Sequence, residues 1–517
     1  MAAGILLSRI LGLVRERVFA HFFGTSLYAD AWRAALRMPN VLQNLLGEGT
    51  LSASFIPIYA HLLEEGREED AARFAGAVFG LLTVVVGVLA LVGVLAAPLL
   101  VAVFFMGFDP ERQALTVTLI RILFPMAGIL VLSAWALGVL NSHRRFFLSY
   151  VAPVFWNLAM IAALVALGAY MAFPQDDLVI ALAWGALVGG ALQFGVQLPG
   201  VLRLLPRFIP RVSLAVEGVR EAIRNFLPVV AARGAVNLSA WLDYALAAFL
   251  ATGAVAALGY AQTLHLLPIS LFAMAVAASE LPELSRSGEE GRAVLSRRVQ
   301  AALERVSFFL IPSALAYLFL GDLIVSAIFQ TGEFGTLESL QIYGVLAAYA
   351  LGLPASGASR VLSSAFYALR DTGTPARLAV FRILISLSLG AALMLPMDRV
   401  TVGHLHLGAA GLALGASAGA WLELTLLRRS LAGHIGPHGF SRRRLLRLLL
   451  AGALATGVAA AAELLLPALH PLLLAAGTLL PFGVAYLAIA HFLGVGFPLR
   501  SLVPGTAGKD STSSQAD

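Results

Sequence analysis

Cysteine is absent from the 517 residues. Disulfides, thiolate metal sites and cysteine nucleophiles are therefore excluded, and nothing follows about compartment. Charge is scarce: acidic and basic residues make up 12% of the chain, half the ~25% usual in a soluble protein. Lysine is nearly missing, Lys509 being the only one among 35 basic residues, which reads as a compositional bias of the genome. No polar stretch is long enough for a separate soluble domain. No glycine-rich segment, 408–419 included, runs on into the Lys-Ser/Thr of a phosphate-binding loop, so no ATP drive is built in. The opening stretch carries Arg9, Arg15 and Arg17 through its apolar run and does not read as a signal peptide.

What is present is apolar. Hydrophobic residues make up 59% and mean hydropathy is +0.87. A soluble chain of this composition would expose too much apolar surface to stay dispersed, so the class is an all-α polytopic membrane protein. The apolar blocks predict fourteen helices, at 3–23, 29–60, 74–103, 113–140, 147–173, 178–203, 225–251, 254–284, 303–329, 337–366, 375–396, 406–428, 445–466 and 471–493. Charge bias supports the count. Even-numbered loops hold most arginines, among them Arg144 and Arg145, Arg203 to Arg224, and Arg428 to Arg447, whereas the odd loops hold only Arg112 and Arg399 beside several carboxylates. The formal charge of +6 thus sits on one side, which places both termini in the cytoplasm. The long basic loops divide the chain into a six-helix lobe (1–205), a linker (206–224) containing a short amphipathic helix, a second six-helix lobe (225–430), two further helices (431–495) and a disordered tail (496–517). Two lobes of six predict a central cavity near the midplane.

Ionisable residues inside spans are costly and mark functional candidates. The first two helices hold most of them. Arg9, Arg15, Glu16 and Arg17 lie on the first; Asp30, Arg33, Arg37, Asn40, Asn44 and Glu48 lie on the second at spacings of three and four, one polar face about five turns long. Two readings stand. These residues either form ion pairs locking the two helices together, or line a hydrated cationic cavity for an anion such as pyrophosphate, which guanidinium forks bind bidentately. Pro39 would loosen the second helix midway. On the seventh helix, Arg233, Asn237 and Asp243 are polar; Asp243, roughly 15 Å below the outer surface, binds a cation, relays a proton or pairs with an arginine. The histidine pairs His404/His406 and His434/His438 fall in loops without further ligands, and His265 reads as a cavity or packing residue rather than a proton switch.

The opening motif is Ser8-Arg9-Ile10-Leu11-Gly12-Leu13-Val14-Arg15-Glu16, followed by Phe23-Gly24, Ala29-Asp30-Ala31, Met38-Pro39-Asn40, Gly47-Glu48-Gly49 and Ser54-Phe55-Ile56-Pro57. Further along come Leu140-Asn141-Ser142, Pro153 with Asn157, Gly259-Tyr260-Ala261, Leu281-Pro282 and Asp371-Thr372. This set resembles the MurJ (MviN) family of bacterial lipid II flippases, in the multidrug/oligosaccharidyl-lipid/polysaccharide exporter superfamily, over at least the first twelve spans. The resemblance implies a transporter, not an enzyme. Its substrate is lipid II, undecaprenyl-pyrophosphoryl disaccharide-pentapeptide, carried across the inner membrane by alternating access for peptidoglycan synthesis, with cavity arginines on the pyrophosphate. It carries family positions over to Arg9, Arg15, Glu16, Asp30 and Glu48, and a lipid groove to the last two helices by position. It implies membrane lipids and cell-wall synthesis proteins as partners, and no nucleic acid. It implies no cofactor, and Na+ or H+ coupling through Asp243 is left open, since the polar partners of a sodium site are missing from the stretch after Arg382. Two cavity positions depart from the family pattern: Gln43 and Thr263 stand where arginines are usual, with Gln262 beside the second. Arg33 and Arg37 are candidates to replace the lost charge, Arg233 a poor one. The alternatives are a paralogous flippase for another polyprenyl-linked saccharide, a cation-coupled exporter of the superfamily, and, from another class, a membrane glycosyltransferase or a scaffold.

Overall fold

The computed structural model describes residues 2–205, 208–277, 292–403, 405–439, 441–466 and 470–496. The expected disordered tail, from 497 onward, lies outside the described residues, as do the side chains of Arg233 and Asn237 and the whole of His404, Leu281 and Pro282. In chain order the helices are α1 (Ala2–Phe23), α2 (Leu27–Leu46), α3 (Glu48–Ser54), α4 (Ile56–Glu64), α5 (Glu68–Phe104), α6 (Pro110–Ser142), α7 (Phe146–Ala163), α8 (Gln175–Leu204), α9 (Val219–Ala247) and α10 (Ala254–Pro268). They continue as α11 (Arg292–Phe319), α12 (Gly321–Phe329), α13 (Thr336–Ala350), α14 (Leu353–Ala368), α15 (Gly373–Asp398), α16 (Gly408–Ile435), α17 (Arg442–Leu465) and α18 (Pro471–Phe492). Helices α7 and α10 run on into π-helical turns, Leu164–Tyr170 and Ile269–Ala273. A two-residue hairpin pairs Thr401–Val402 with Leu405–His406.

Ten of the described helices are long and apolar enough to cross a membrane, and the pair α13–α14, bent by 42°, makes eleven. Helices α1, α2 and α9 fall short of that standard; α1 carries Arg9, Arg15, Glu16 and Arg17, and α2 carries Asp30, Arg33 and Arg37. With these three, every one of the fourteen expected positions holds a helix. The protein is an all-α polytopic membrane protein.

Local chemistry sets several boundaries. Asp109 caps α6 by accepting from the Arg112 backbone N–H, with Pro110 at the first turn. Glu68, Glu69 and Asp70 sit at the positive end of the α5 dipole. Several expectations are corrected. The expected helix 303–329 is interrupted at Leu320 between α11 and α12, and 337–366 is bent by 42° between α13 and α14. The single helix 29–60 is broken at Gly47 and Phe55 into α2, α3 and α4. At Gly47 a Cβ would collide with the Gln43 carbonyl oxygen, so the turn requires glycine, and Thr50 Oγ1 donates to the Leu45 carbonyl freed there (2.6 Å). The helix does run through Pro39. Within the linker, residues 208–217 are irregular and not an amphipathic helix, since Pro210 offers no N–H and pushes Ile209 out of the helical region, while residues 219–224 are helical as the first turns of α9. Instead it straps along α5. The Arg211 N–H donates to Gly76 O (3.2 Å), and Gly76 and Gly80 lack the Cβ that would block the approach. Phe208 packs on Phe79 and Trp135, and Glu217 pairs with Arg67 at 2.6 Å.

The chain forms two compact units. Unit 1 comprises Met1–Gln262, Ile328–Val345 and Ile383–Gly415. Its central helix α6 packs against α2, α5 and α8, with Trp135, Leu119 and Leu123 fully buried. Unit 2 comprises Thr263–Ala327, Leu346–Arg382 and Ala416–Asp517. There α11 packs on α14 and α17, and Tyr486 of α18 donates to the Phe308 carbonyl at 2.6 Å. This partition cuts across the lobes counted from sequence. Residues 225–262, 328–345 and 383–415 group with the first 205, partly because the turns near 253 and 333 bond directly to α1 and α2.

Candidate functional site

Unit 1 contains a pocket of about 670 Å³ walled by α1, α2, α3, α6, α7 and α8. Ser8, Gly12 and Arg15 come from α1; Gln43, Asn44, Glu48 and Ser52 from the broken α2–α3 stretch; Ser133 from α6; Trp156 and Asn157 from α7; and Gln193 from α8. The break at Gly47 turns the chain so that residues on both sides of it face one space. Arg15 is held in place from the protein side. Its Nη1 donates to Asn157 Oδ1 at 3.0 Å, its Nη2 to Glu16 at 2.6 Å, and its guanidinium lies 5.0 Å from the Trp156 ring centre. Asn157 in turn donates to the Pro153 carbonyl, and Gln193 donates to Ser133 Oγ at 3.0 Å.

The other predicted residues are placed elsewhere. Glu16, only 6% exposed, bridges Arg15 and Arg33, and the Arg33 guanidinium lies between the rings of Tyr260 (4.6 Å) and Phe19 (5.2 Å). Asp30, fully buried, accepts the backbone N–H groups of Gly253 (2.7 Å) and Ala256 (2.8 Å) at the start of α10 and a 3.2 Å bond from Arg112. It thus caps a helix N-terminus, where negative charge is favoured. Arg37 lies over Tyr244 at 4.6 Å, and Asn40 is half-buried outside the pocket lining. Arg9 is exposed and Asp243 half-buried, both in unit 1 and off the lining; Thr263 is half-buried in unit 2. The stripe of α2 is therefore divided: its first half makes ion pairs and caps, and only Asn44 and Glu48, with Gln43 beside them, reach the pocket. Arg33, committed to Glu16, does not replace the charge missing at Gln43. In unit 2, Arg382 pairs with Glu423 at 2.9 Å. Helix α15 holds no carboxylate from Gly373 to Met397.

Sequence reasoning did not assign Asn157, Trp156, Ser133 and Gln193 to the site. The signal for Asn157 and Gln193 was an amide within a strongly apolar span. For Trp156 and Ser133 nothing local marked them.

The end of unit 1 bearing residues 21–26 is tied shut by direct bonds. Tyr260 OH donates to Gly24 O (3.0 Å), Glu333 N–H to His21 O (2.9 Å), Arg17 to Ile328 O (2.8 Å), and His21 Nδ1 lies 2.9 Å from Thr331 Oγ1.

The model of the family described as lipid II flippase MurJ matches residues 19–490. A Burkholderia cenocepacia protein, "Lipid II flippase MurJ", is 34% identical over 432 residues, 82% of this chain and 80% of its own length. A Rhizobium tropici protein, "Probable lipid II flippase MurJ", is 34% identical over 469 residues, 87% of this chain and 84% of its own. Among solved structures, "Lipid II flippase MurJ, inward closed conformation" superposes with a TM-score of 0.78 at 23% identity, covering 95% of this chain and 99% of that one. An inward-facing multidrug resistance MATE transporter follows with a TM-score of 0.64 at 16% identity, covering 86% and 94%. At these identities the two structures speak for the fold.

Proposed function

The chain belongs to the lipid II flippase MurJ family, and from that premise we infer that it is a transporter that moves lipid II across the bacterial inner membrane for peptidoglycan synthesis. The observation that carries the inference is family membership across residues 19–490. The geometry agrees in kind: a polar pocket sits among apolar helices, large enough for a small-molecule headgroup, given the ~300–1,000 Å³ typical of ligand sites. Arg15 is the cation on its wall, so contact with the pyrophosphate falls to Arg15. The leucine-rich outer faces of α17 and α18, with Leu450, Leu454, Leu473 and Leu480 exposed, suit the isoprenoid tail.

The arginine bias of the even loops supports cytoplasmic termini. The closed end at residues 21–26 then faces the periplasm, and alternating access requires its bonds to part. Coupling through Asp243 belongs to the same proposal: Asp243→Asn should abolish the dependence of transport on an imposed ion gradient. Unchanged dependence on both Na+ and H+ gradients removes Asp243 from coupling. Enzymes that polymerise the exported lipid are the partners this activity would serve.

The experiment is complementation of a bacterium depleted of its own lipid II flippase, with Arg15→Ala compared at matched membrane levels. The intact chain should restore growth and the variant should fail. Full rescue by the variant removes Arg15 from the mechanism. Gln43 and Thr263 favour a second reading, a paralogous flippase for another polyprenyl-linked saccharide. If that holds, the intact chain inserts without rescuing, and restoring arginine at both positions does not help.

A further inference from the structure

The charge of the pocket does not match the charge of its expected guest. The Arg15 guanidinium already shares its charge with Glu16 at 2.6 Å, and Glu48 adds a carboxylate to the same lining. Arg15 has N–H groups left to give an anion, since guanidinium carries five. One balanced guanidinium anchors a pyrophosphate but does not select what hangs from it. The remaining polar wall is neutral. The Gln43 amide has no side-chain hydrogen bond among the described residues. Gln193 spends a donor on Ser133, which leaves its carbonyl oxygen to accept. Trp156 spends its N–H on the Ala186 carbonyl at 3.1 Å and carries the Arg15 guanidinium 5.0 Å from its ring centre, so what it offers a guest is the apolar ring surface that Arg15 leaves uncovered.

We infer that this pocket recognises the neutral glycan of the carried lipid, with Gln43 as a specificity-determining residue. A sugar hydroxyl or acetamido group both donates and accepts, as a primary amide does, so Gln43 and Gln193 match it in either sense. The C–H face of a sugar ring is apolar enough to lie against an indole. The free carboxylates of a stem peptide would instead meet Glu48, a like charge that disfavours them. The inference rests on the flippase reading, which supplies a lipid-linked glycan.

The test uses the purified full-length protein in phosphatidylcholine nanodiscs. Two probes are titrated: undecaprenyl pyrophosphate, and the same lipid bearing the N-acetylated disaccharide without peptide. The wild type should prefer the glycosylated lipid by about tenfold, a difference of ~1.4 kcal/mol. Gln43→Leu should cut the preference to about threefold or less, with thermal unfolding in the nanodisc unchanged from the wild type as the folding control. Gln193→Leu serves as the second variant. Equal affinities in the wild type, or a preference untouched by both variants, overturns the inference and leaves the flippase reading standing. Binding of neither lipid by the wild type overturns both.

Discussion

The Glu16 carboxylate is the residue on which the first two helices turn. It is buried and accepts from Arg15 and Arg33, so one acid holds one arginine at the pocket wall and another in the aromatic slot between Tyr260 and Phe19. Removing one partner of a buried pair leaves the other charge uncompensated, at about 3–5 kcal/mol. Glu16→Gln should therefore lower stability by about that amount in detergent-based unfolding. The double change Glu16→Leu with Arg33→Leu should recover part of the loss. A loss below ~1 kcal/mol, the scale of an exposed pair, contradicts the buried role. From sequence alone this residue stood both in a cationic cavity and in a helix-locking ion pair; in the structure it is buried, bonded to Arg15 and Arg33, and outside the pocket lining. Asp30 follows the same logic, because its carboxylate is consumed by the α10 backbone and Arg112.

Among the elements, the linker strap departs furthest from its sequence reading. Hydrophobic and arginine residues alternate there in a way that suits an amphipathic helix, yet Pro210 and the open edge offered by Gly76 and Gly80 favour an extended path along α5. The strap is pinned at its far end by Arg67, whose hydrogen bonds hold the Glu217 carboxyl below the usual glutamate range. A carboxyl depressed in the folded state stabilises fully above its ordinary value near ~4.3, and the contribution is lost as pH falls through the lower folded value. Hydrogen exchange at the Arg211 amide, bonded to Gly76, should therefore accelerate as pH drops below ~4.3, after correction for intrinsic rates. Glu217→Gln should show the same acceleration at neutral pH. An unaltered rate in that variant means the strap is held by Phe208 and the backbone alone.

At the scale of the whole molecule, the absence of cysteine makes a direct test of alternating access convenient. His21 Nδ1 and Thr331 Oγ1 are 2.9 Å apart, so a cysteine at each position brings two thiols together across the closed end of unit 1. Oxidation should arrest transport and reductant should restore it; transport that continues with the disulfide formed rules out opening at this end. The class, the helix positions and the crowding of charge on α1 and α2 were all legible in the sequence, because a bilayer imposes its thickness and its polarity on every span independently of the neighbours. The family could be read from the run Ser8 to Pro57. What the tertiary structure alone decided is which charges are spent on one another. Spacing puts Asp30, Arg33, Arg37 and Glu48 on one face, but it does not say that Glu16 takes Arg33, that the start of α10 takes Asp30, or that the turn at Gly47 brings Gln43 and Glu48 to the same pocket as Asn157 and Gln193. Partners far apart in the chain settle those questions, since a buried charge goes to whichever group folding delivers to it, and periodicity along one helix carries no record of that delivery.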